Sequence, residues 1–457
     1  MPAAPGAARS RRGSGRRGPC PATFPARGSV SAVAVPSPSA LLAAPGTMLR
    51  APWLPPEQLA RLQWRRLRRL LDHAYARSPL WRERFAALGA TPADVRSLAD
   101  FARLPATARE DLRSPERLLA DGFARDRLKT AMTSGSTGRR TTSYFDRDAW
   151  FIGKHLLKLR ARFACGMRPS DRVALFQEAD PERRPVRFGG RARTYSIHVP
   201  PEALVEEVAE FAPDVLYGFP GHLVLLGLAA HGRLRPRLIF TSGELLAETT
   251  RRQIEALLGT RVFDVYGSTE AKEVAWECPE RAGYHVNADW ALVETEAERD
   301  ELGRTTNRIL ITSLANYAMP LIRYAVGDTG ELLAERCPCG RTLPLMRPSW
   351  GRSVDYLALA DGSVVTPYDM TCAIEHLPGM LRYQIVQRAI DRIEVLVLPD
   401  AGFSPEVPEA IRGALRPVLR GLDAQVRLVE ELRHEPSGKF RIVRSELAQR
   451  ATAPADG

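Results

Sequence analysis

Between residues 170 and 270 four short apolar runs recur: Arg172-Val173-Ala174-Leu175-Phe176, Asp214-Val215-Leu216-Tyr217-Gly218, Arg237-Leu238-Ile239-Phe240-Thr241 and Val262-Phe263-Asp264-Val265-Tyr266, with amphipathic sequence between them. That is the rhythm of parallel strands joined by crossover helices, and it predicts an α/β fold with parallel-type sheets. Several of the runs end in Gly, Ser or Thr, and open α/β sheets take their ligands at the carboxyl ends of strands. From about 285 to 350 the pieces become shorter and strand-like, as in Arg308-Ile309-Leu310-Ile311-Thr312, which predicts a β-rich subdomain. After Gly351-Arg352 a compact tail carries a clear strand at Ile393-Glu394-Val395-Leu396-Val397-Leu398. The expected organisation is a large domain over 48–350 and a small α+β domain over 351–457, with the boundary at 350–355 and no internal repeat.

Upstream, Leu59, Leu62, Leu67, Leu70, Leu71 and Tyr75 are spaced as an amphipathic helix or two, running from Pro56 to Phe85 and broken at Ser78-Pro79, with the arginines as the solvated face. Residues 1–47 are rich in Ala, Pro, Gly, Ser and Arg, hold one aromatic, Phe24, and contain no acid. Such a segment buries too little apolar surface to fold alone, so disorder is expected there. An organelle transit peptide would explain it; a start assigned too far upstream of Met48 explains it better, because Met48 opens the first patterned segment.

The net charge of +12 over 457 residues invites a nucleic-acid hypothesis. Six of those charges are the arginines at 9, 11, 12, 16, 17 and 27 in the leader, and no aromatic interleaving or reading motif accompanies them. No run reaches the roughly 20 apolar residues that a membrane span requires. Six cysteines are too few for a disulfide framework in a chain this long, which predicts a reducing, cytoplasmic setting.

The chemistry-bearing motifs come in order. Thr133-Ser134-Gly135-Ser136-Thr137-Gly138-Arg139-Arg140-Thr141 follows the apolar Ala131-Met132. Gly135 and Gly138 permit backbone conformations closed to other residues, so successive N–H groups and hydroxyls can turn toward phosphate oxygens, with the arginines adding positive charge. A helix is expected to begin after it, capped by Asp146 or Asp148. Tyr266-Gly267-Ser268-Thr269-Glu270 follows a strand run, Arg323-Tyr324-Ala325-Val326-Gly327-Asp328 sets a carboxylate after a glycine turn, Gly351-Arg352 opens the tail, and Glu435-Pro436-Ser437-Gly438-Lys439-Phe440-Arg441 nearly ends the chain.

With five motifs in this order, the chain resembles the adenylate-forming (acyl-CoA synthetase) superfamily and, within it, the phenylacetate-CoA ligase-like family, over about residues 48–450. The resemblance implies roles. Thr133, Ser134, Gly135, Ser136, Thr137 and Gly138 would cradle the β- and γ-phosphates of ATP, and Glu270 would hold Mg²⁺, a hard cation that takes oxygen ligands. Tyr266 and Gly267, with Ser268 and Thr269 beside them, would line the adenine pocket, and Ser242-Gly243-Glu244 would form another wall. Asp328 would accept both ribose hydroxyls. Lys439 would reach the attacking carboxylate and the α-phosphate as a point charge on a flexible stem. Arg352 matches the arginine of the superfamily hinge, about which the small mobile domain swings between adenylation and thiol transfer. Val354 stands where that hinge usually carries an acid, and Asp355 follows it, which places the hinge itself in question. Tyr217 and His222, in Tyr217-Gly218-Phe219-Pro220-Gly221-His222, fall where relatives build the acyl pocket. A homodimer is a family-level expectation.

The cysteines form a second constellation. Cys278 and His285 flank the Glu270 motif on its far side, and Cys337 and Cys339 sit in Cys-Pro-Cys-Gly-Arg after the Asp328 motif. Two thiolates on a tight knuckle plus a Cys and a His from another loop make the ligand set of a closed structural Zn²⁺ site; the plainer reading is reduced thiols beside a surface histidine. His155, His198 and His222 lack any Ser/His/Asp ordering or nucleophile elbow, and Cys165 and Cys372 read as small core residues.

The expected function is ATP-dependent activation of a carboxylic acid to an acyl-AMP with release of pyrophosphate, then transfer to coenzyme A. The alternative within this chemistry hands the acyl group to an amine or hydroxyl, and the substitution at Val354 gives it weight. A nucleic-acid-binding protein is the alternative of another class.

Overall fold

A computed structural model describes residues 49–132, 141–177, 187–188, 191–197, 199–244, 246–299, 305–349, 357–361, 364–365, 367–432 and 441–447. The phosphate-loop residues 133–140, the hinge residues 351–355, the lysine loop 433–440 and the leader 1–47 lie outside them, as does the boundary expected at 350–355.

A hairpin of β1 (Lys129–Met132) and β2 (Thr142–Phe145) flanks the glycine-rich loop. The main sheet has twelve strands: β3 (Val173–Gln177), β4 (Arg187–Phe188), β5 (Ala192–Ser196), β6 (Val215–Gly218), β7 (Leu238–Ser242), β8 (Val262–Ser268), β9 (Lys272–Glu277), β10 (Tyr284–Val286), β11 (Ala291–Arg299), β12 (Thr305–Ser313), β13 (Tyr324–Leu333) and β14 (Leu345–Ser349). Their spatial order is β11-β12-β13-β14-β10-β9-β8-β7-β6-β3-β5-β4. The strands β5, β3, β6, β7 and β8 are parallel neighbours, as the spacing of the four apolar runs predicts.

Both faces of this parallel half are covered, which is why its strands read as nearly unbroken apolar runs. On one face Ala174, Leu216, Ile239 and Val262 pack with the helices Pro201–Phe211, Pro220–Ala230 and Glu248–Leu258. On the other, Val215, Tyr217, Phe240, Phe263 and Val265 meet Ala161 and Cys165, on and just after the helix Leu157–Ala164. That helix continues from Arg147–Phe151, whose cap is Asp146, accepting from the Ala149 amide at 2.8 Å. Strands β9 to β14 are antiparallel and supply the expected β-rich part. Residues 380–445 add a separate four-stranded sheet with its own core around Ile385, Val395, Ile411 and Leu415.

The amphipathic segment is two helices, Pro56–Arg77 and Pro79–Ala87, broken at Ser78-Pro79 as expected. Its arginines depart from a purely solvated face. Arg66 donates to the Asp289 carbonyl and Arg68 to the carbonyls of Pro92 and Val95. Long stems let these side chains cross the apolar stripe and satisfy carbonyls of neighbouring segments, which helical spacing alone does not reveal. Among the described residues no helix is long and apolar enough to cross a membrane.

One buried polar group in β8 sets a pH dependence. Asp264 accepts from Thr241 Oγ1 at 2.5 Å and from Tyr284 Oη at 2.9 Å, while the adjacent Glu277 is held by Arg251 at 2.8 Å. Burial, then repulsion from Glu277, pushes Asp264 up to about 7. An acid whose folded pKa lies above its unfolded value holds a proton that the unfolded chain releases, so its contribution to stability falls as pH rises from about 4 to about 7. The substitution Asp264→Asn, which cannot ionise, is expected to gain on the parent by about 1 kcal/mol per pH unit within that window. Urea unfolding of both proteins at several pH values reads this, and a difference that stays constant with pH would show that Asp264 is ionised in the fold.

Candidate functional site

The site lies where β8 leaves the sheet. Tyr266 Oη donates to Asp328 Oδ2 at 2.9 Å, and Tyr324 Oη donates to Glu270 Oε1 at 2.9 Å. Two carboxylates more than fifty residues apart in sequence are thus anchored by tyrosines from each other's motifs, and Glu270 is buried. The turn that carries Glu270 is tight. A Cβ on Gly267 would stand 2.3 Å from the Lys272 carbonyl oxygen, a separation no side chain survives. Ser268 Oγ accepts from the Ala271 amide at 3.0 Å, and Lys272, in the left-handed region at φ 63°, donates from Nζ to the Thr269 carbonyl at 2.9 Å.

Lys272 lies beside the candidate site, and the sequence analysis did not single it out. Its ammonium lies 4.0 Å from the centroid of Phe145 and 4.8 Å from that of Trp150. Burial, then Lys154, lowers its pKa to about 7, against the attraction of Glu270. Only the left-handed backbone turns this lysine back toward the motif, and no local sequence signal announces it.

Ser242 ends β7, and Gly243 and Glu244 follow it. Gly243 has φ 81°, and a Cβ there would meet Phe219 at 2.7 Å. Glu244 accepts from the Gly221 amide at 3.1 Å, at the start of the helix Pro220–Ala230. Ser242 Oγ and Tyr217 Oη are 2.6 Å apart, so the structure joins an expected adenine-wall residue to an expected acyl-pocket residue. His222 packs its ring 5.1 Å from Phe176, in the cluster on the opposite face of the sheet from Tyr217. Where β2 begins, a cleft of about 420 Å³ is lined by Arg113, Arg125, Thr141 and Tyr144 among others. Thr133, Ser134, Gly135, Ser136, Thr137, Gly138, Arg352 and Lys439 lie outside the described residues.

The second constellation assembles. The ligand atoms of Cys278, His285, Cys337 and Cys339 all lie within 4.8 Å of one another. Cys278 Sγ and Cys337 Sγ are 3.5 Å apart, and Cys339 Sγ and His285 Nε2 are 3.3 Å apart. Ligands held at about 2.3 Å (S) and about 2.0 Å (N) from a tetrahedral zinc would be about 3.5 to 3.8 Å from each other, so the spacing fits the ion. Burial, then Arg341, lowers His285 to about 4 and keeps the imidazole neutral, the form that ligates. The Arg341 guanidinium also stacks 4.9 Å from the ring centroid of Trp53, and Thr342 donates from its amide to Pro52, so the knuckle ties the first described residues to the sheet. Cys165, by contrast, is a buried thiol bonded to the Glu277 carbonyl, the core role expected for it.

No protein-family model matches the chain. In solved structures it superposes on 2-hydroxyisobutyryl-CoA ligase in the postadenylation state with a TM-score of 0.72, covering 88% of this chain and 93% of that one at 22% identity. The same enzyme in the thioesterification state gives 0.57. The fold is that of the adenylate-forming CoA ligases. Among known sequences it is 28% identical over 381 residues to the phenylacetate-coenzyme A ligase of Thermus thermophilus, covering 78% of this chain and 85% of that protein. It is 27% identical over 377 residues to the one from Escherichia coli, covering 75% and 82%. The chain is thus similar to phenylacetate-coenzyme A ligases along most of its length.

The Gly267 geometry makes a prediction. Gly267→Ala forces the turn apart and is expected to weaken ATP binding at least ~10-fold while lowering stability by about 1 to 3 kcal/mol. Nucleotide titration beside thermal unfolding reads both, and unchanged nucleotide affinity would remove this turn from the site.

Proposed function

We propose that the chain is an ATP-dependent carboxylate–CoA ligase: the carboxylate oxygen of an acid attacks the α-phosphorus of ATP, pyrophosphate leaves, and the thiol of coenzyme A then displaces AMP from the acyl carbon with its proton passing to solvent. The observation that carries this reading is the paired anchoring of Asp328 by Tyr266 and of Glu270 by Tyr324 at the carboxyl end of β8. Such chemistry needs positioning and charge neutralisation more than covalent participation by the protein. In this reading Asp328 accepts the ribose hydroxyls, the Thr133–Gly138 loop holds the terminal phosphates, and Lys439 neutralises the charge that develops at the α-phosphate. Glu270 would hold Mg²⁺, which supplies the countercharge for the departing pyrophosphate. Arg352 would serve the swing of the residues beyond it. Homology to CoA ligases favours coenzyme A over an amine or hydroxyl as the acceptor.

The test is pyrophosphate release from the purified full chain with ATP, Mg²⁺ and a panel of aryl and alkyl acids, with and without coenzyme A. Acid-dependent release, faster with coenzyme A and reduced at least ~100-fold in Lys439→Ala, is expected. Release indifferent to coenzyme A would return the amine- or hydroxyl-acceptor reading.

The four-ligand cluster supports a structural zinc site. One equivalent of zinc is expected in the purified protein, and Cys337→Ser is expected to lose the metal and lower the unfolding temperature. A metal content below about a tenth of an equivalent would contradict it, since a closed site of this kind holds its ion through purification.

A further inference from the structure

The helix Leu157–Ala164 sets Lys158 and Arg162, one turn apart, against Tyr217: Lys158 Nζ lies 4.8 Å and the Arg162 guanidinium carbon 4.7 Å from the ring centroid. A buried cation is ordinarily paired, because desolvation is costly and an aromatic ring returns only part of that cost. Lys158 has a partner in the Glu273 carboxylate at 3.5 Å. Arg162 does not. It is 8% exposed, its Nε is enclosed without a hydrogen bond, and among the described residues no ion pair reaches its guanidinium. Two cations face one carboxylate, so among the described residues one positive charge is left over beside Val173, Val265 and Trp276.

Lys158 supplies a second, independent observation. Tyr217 and Glu273 around it are buried, yet 27% of its own side chain is open. Lys158 therefore reaches the surface along part of its length, while its Nζ stays beside Glu273 and Tyr217 Oη at 3.5 Å each. The Lys158–Tyr217–Arg162 cluster is at the carboxyl end of the parallel strands, since Tyr217 Oη is bonded to Ser242 Oγ at the end of β7.

We propose that this cluster meets the tail of the acid, and that it selects acids carrying a second anionic group, a carboxylate or its equivalent, which pairs with Arg162 while Lys158 donates beside it. The proposal rests on the ligase reading and specifies its substrate class. Arg162 is in this account a specificity-determining residue, and the charge it leaves unpaired is compensated when the acid binds. Charge-assisted pairs of this kind are among the stronger hydrogen bonds, so the discrimination should be large.

The experiment uses the full chain with ATP and Mg²⁺ and compares kcat/KM for pyrophosphate release within matched pairs: phenylacetate against 4-carboxyphenylacetate, and butyrate against glutarate. The dianion of each pair is expected to be favoured at least ~10-fold, with Arg162→Met abolishing the preference and Arg162→Lys retaining part of it. Met matches the length of the arginine stem and removes an unpaired buried charge, so the variant should fold with an equal or higher unfolding temperature. Monoanions used as well as dianions, by parent and Arg162→Met alike, would overturn this proposal and leave the ligase reading standing. Failure of every acid to release pyrophosphate would overturn both.

Discussion

Strand β8 pairs parallel with β7 along one edge and antiparallel with β9 along the other, and the turn between β8 and β9 closes only because Gly267 brings no Cβ against the Lys272 carbonyl, 2.3 Å from where one would stand. That change of direction joins the two halves of the sheet. It also places Tyr266 and Glu270 on the exit path of a strand, where Asp328 and Tyr324 of β13 reach them. A larger residue at 267 would separate the motif from its strand. The backbone approach, more than any single side chain, defines where the nucleotide would sit.

Two kinds of burial then coexist around this turn. Apolar packing on both faces of β3, β6, β7 and β8 supplies the rigidity. Set into it are charges that are expensive to enclose: Asp264 beside Glu277, Lys272 above aromatic rings, and Arg162 with its Nε unbonded and Glu273 shared with Lys158. Groups of this kind cost stability in the empty fold and are repaid only by a proton, a neighbour or a ligand. They sit on both faces: Asp264 and Glu277 lie on the side of the helix Glu248–Leu258, which supplies Arg251, and Arg162 lies on the Tyr217 side.

The parallel half was legible in the sequence because burial on both faces leaves little room for polar residues, and four runs of apolar residues at regular spacing follow directly. The cysteine and histidine quartet was legible too, since Cys278, His285, Cys337 and Cys339 have chemistry that invites one another whatever lies between them. Lys158 and Arg162 were not. Four residues apart on a helix, they carry no motif, and only the packing of that helix on Tyr217 and Glu273, both more than fifty residues away, turns them inward. Lys272 escaped for a related reason: its meaning depends on a left-handed backbone that nothing in a Glu-Ala-Lys sequence requires. Arg66 and Arg68 escaped because their partners are carbonyls, which every residue carries.

The central claim is that the corner formed by β8 and β13 binds a nucleotide, and calorimetric titration of Mg²⁺-ATP into the full chain beside Asp328→Ala addresses it most directly. The account predicts saturable binding by the parent and a loss of at least ~10-fold in the variant, the effect of removing a charged acceptor from two hydroxyl donors. Equal affinity in the two proteins, or none in the parent, would contradict it.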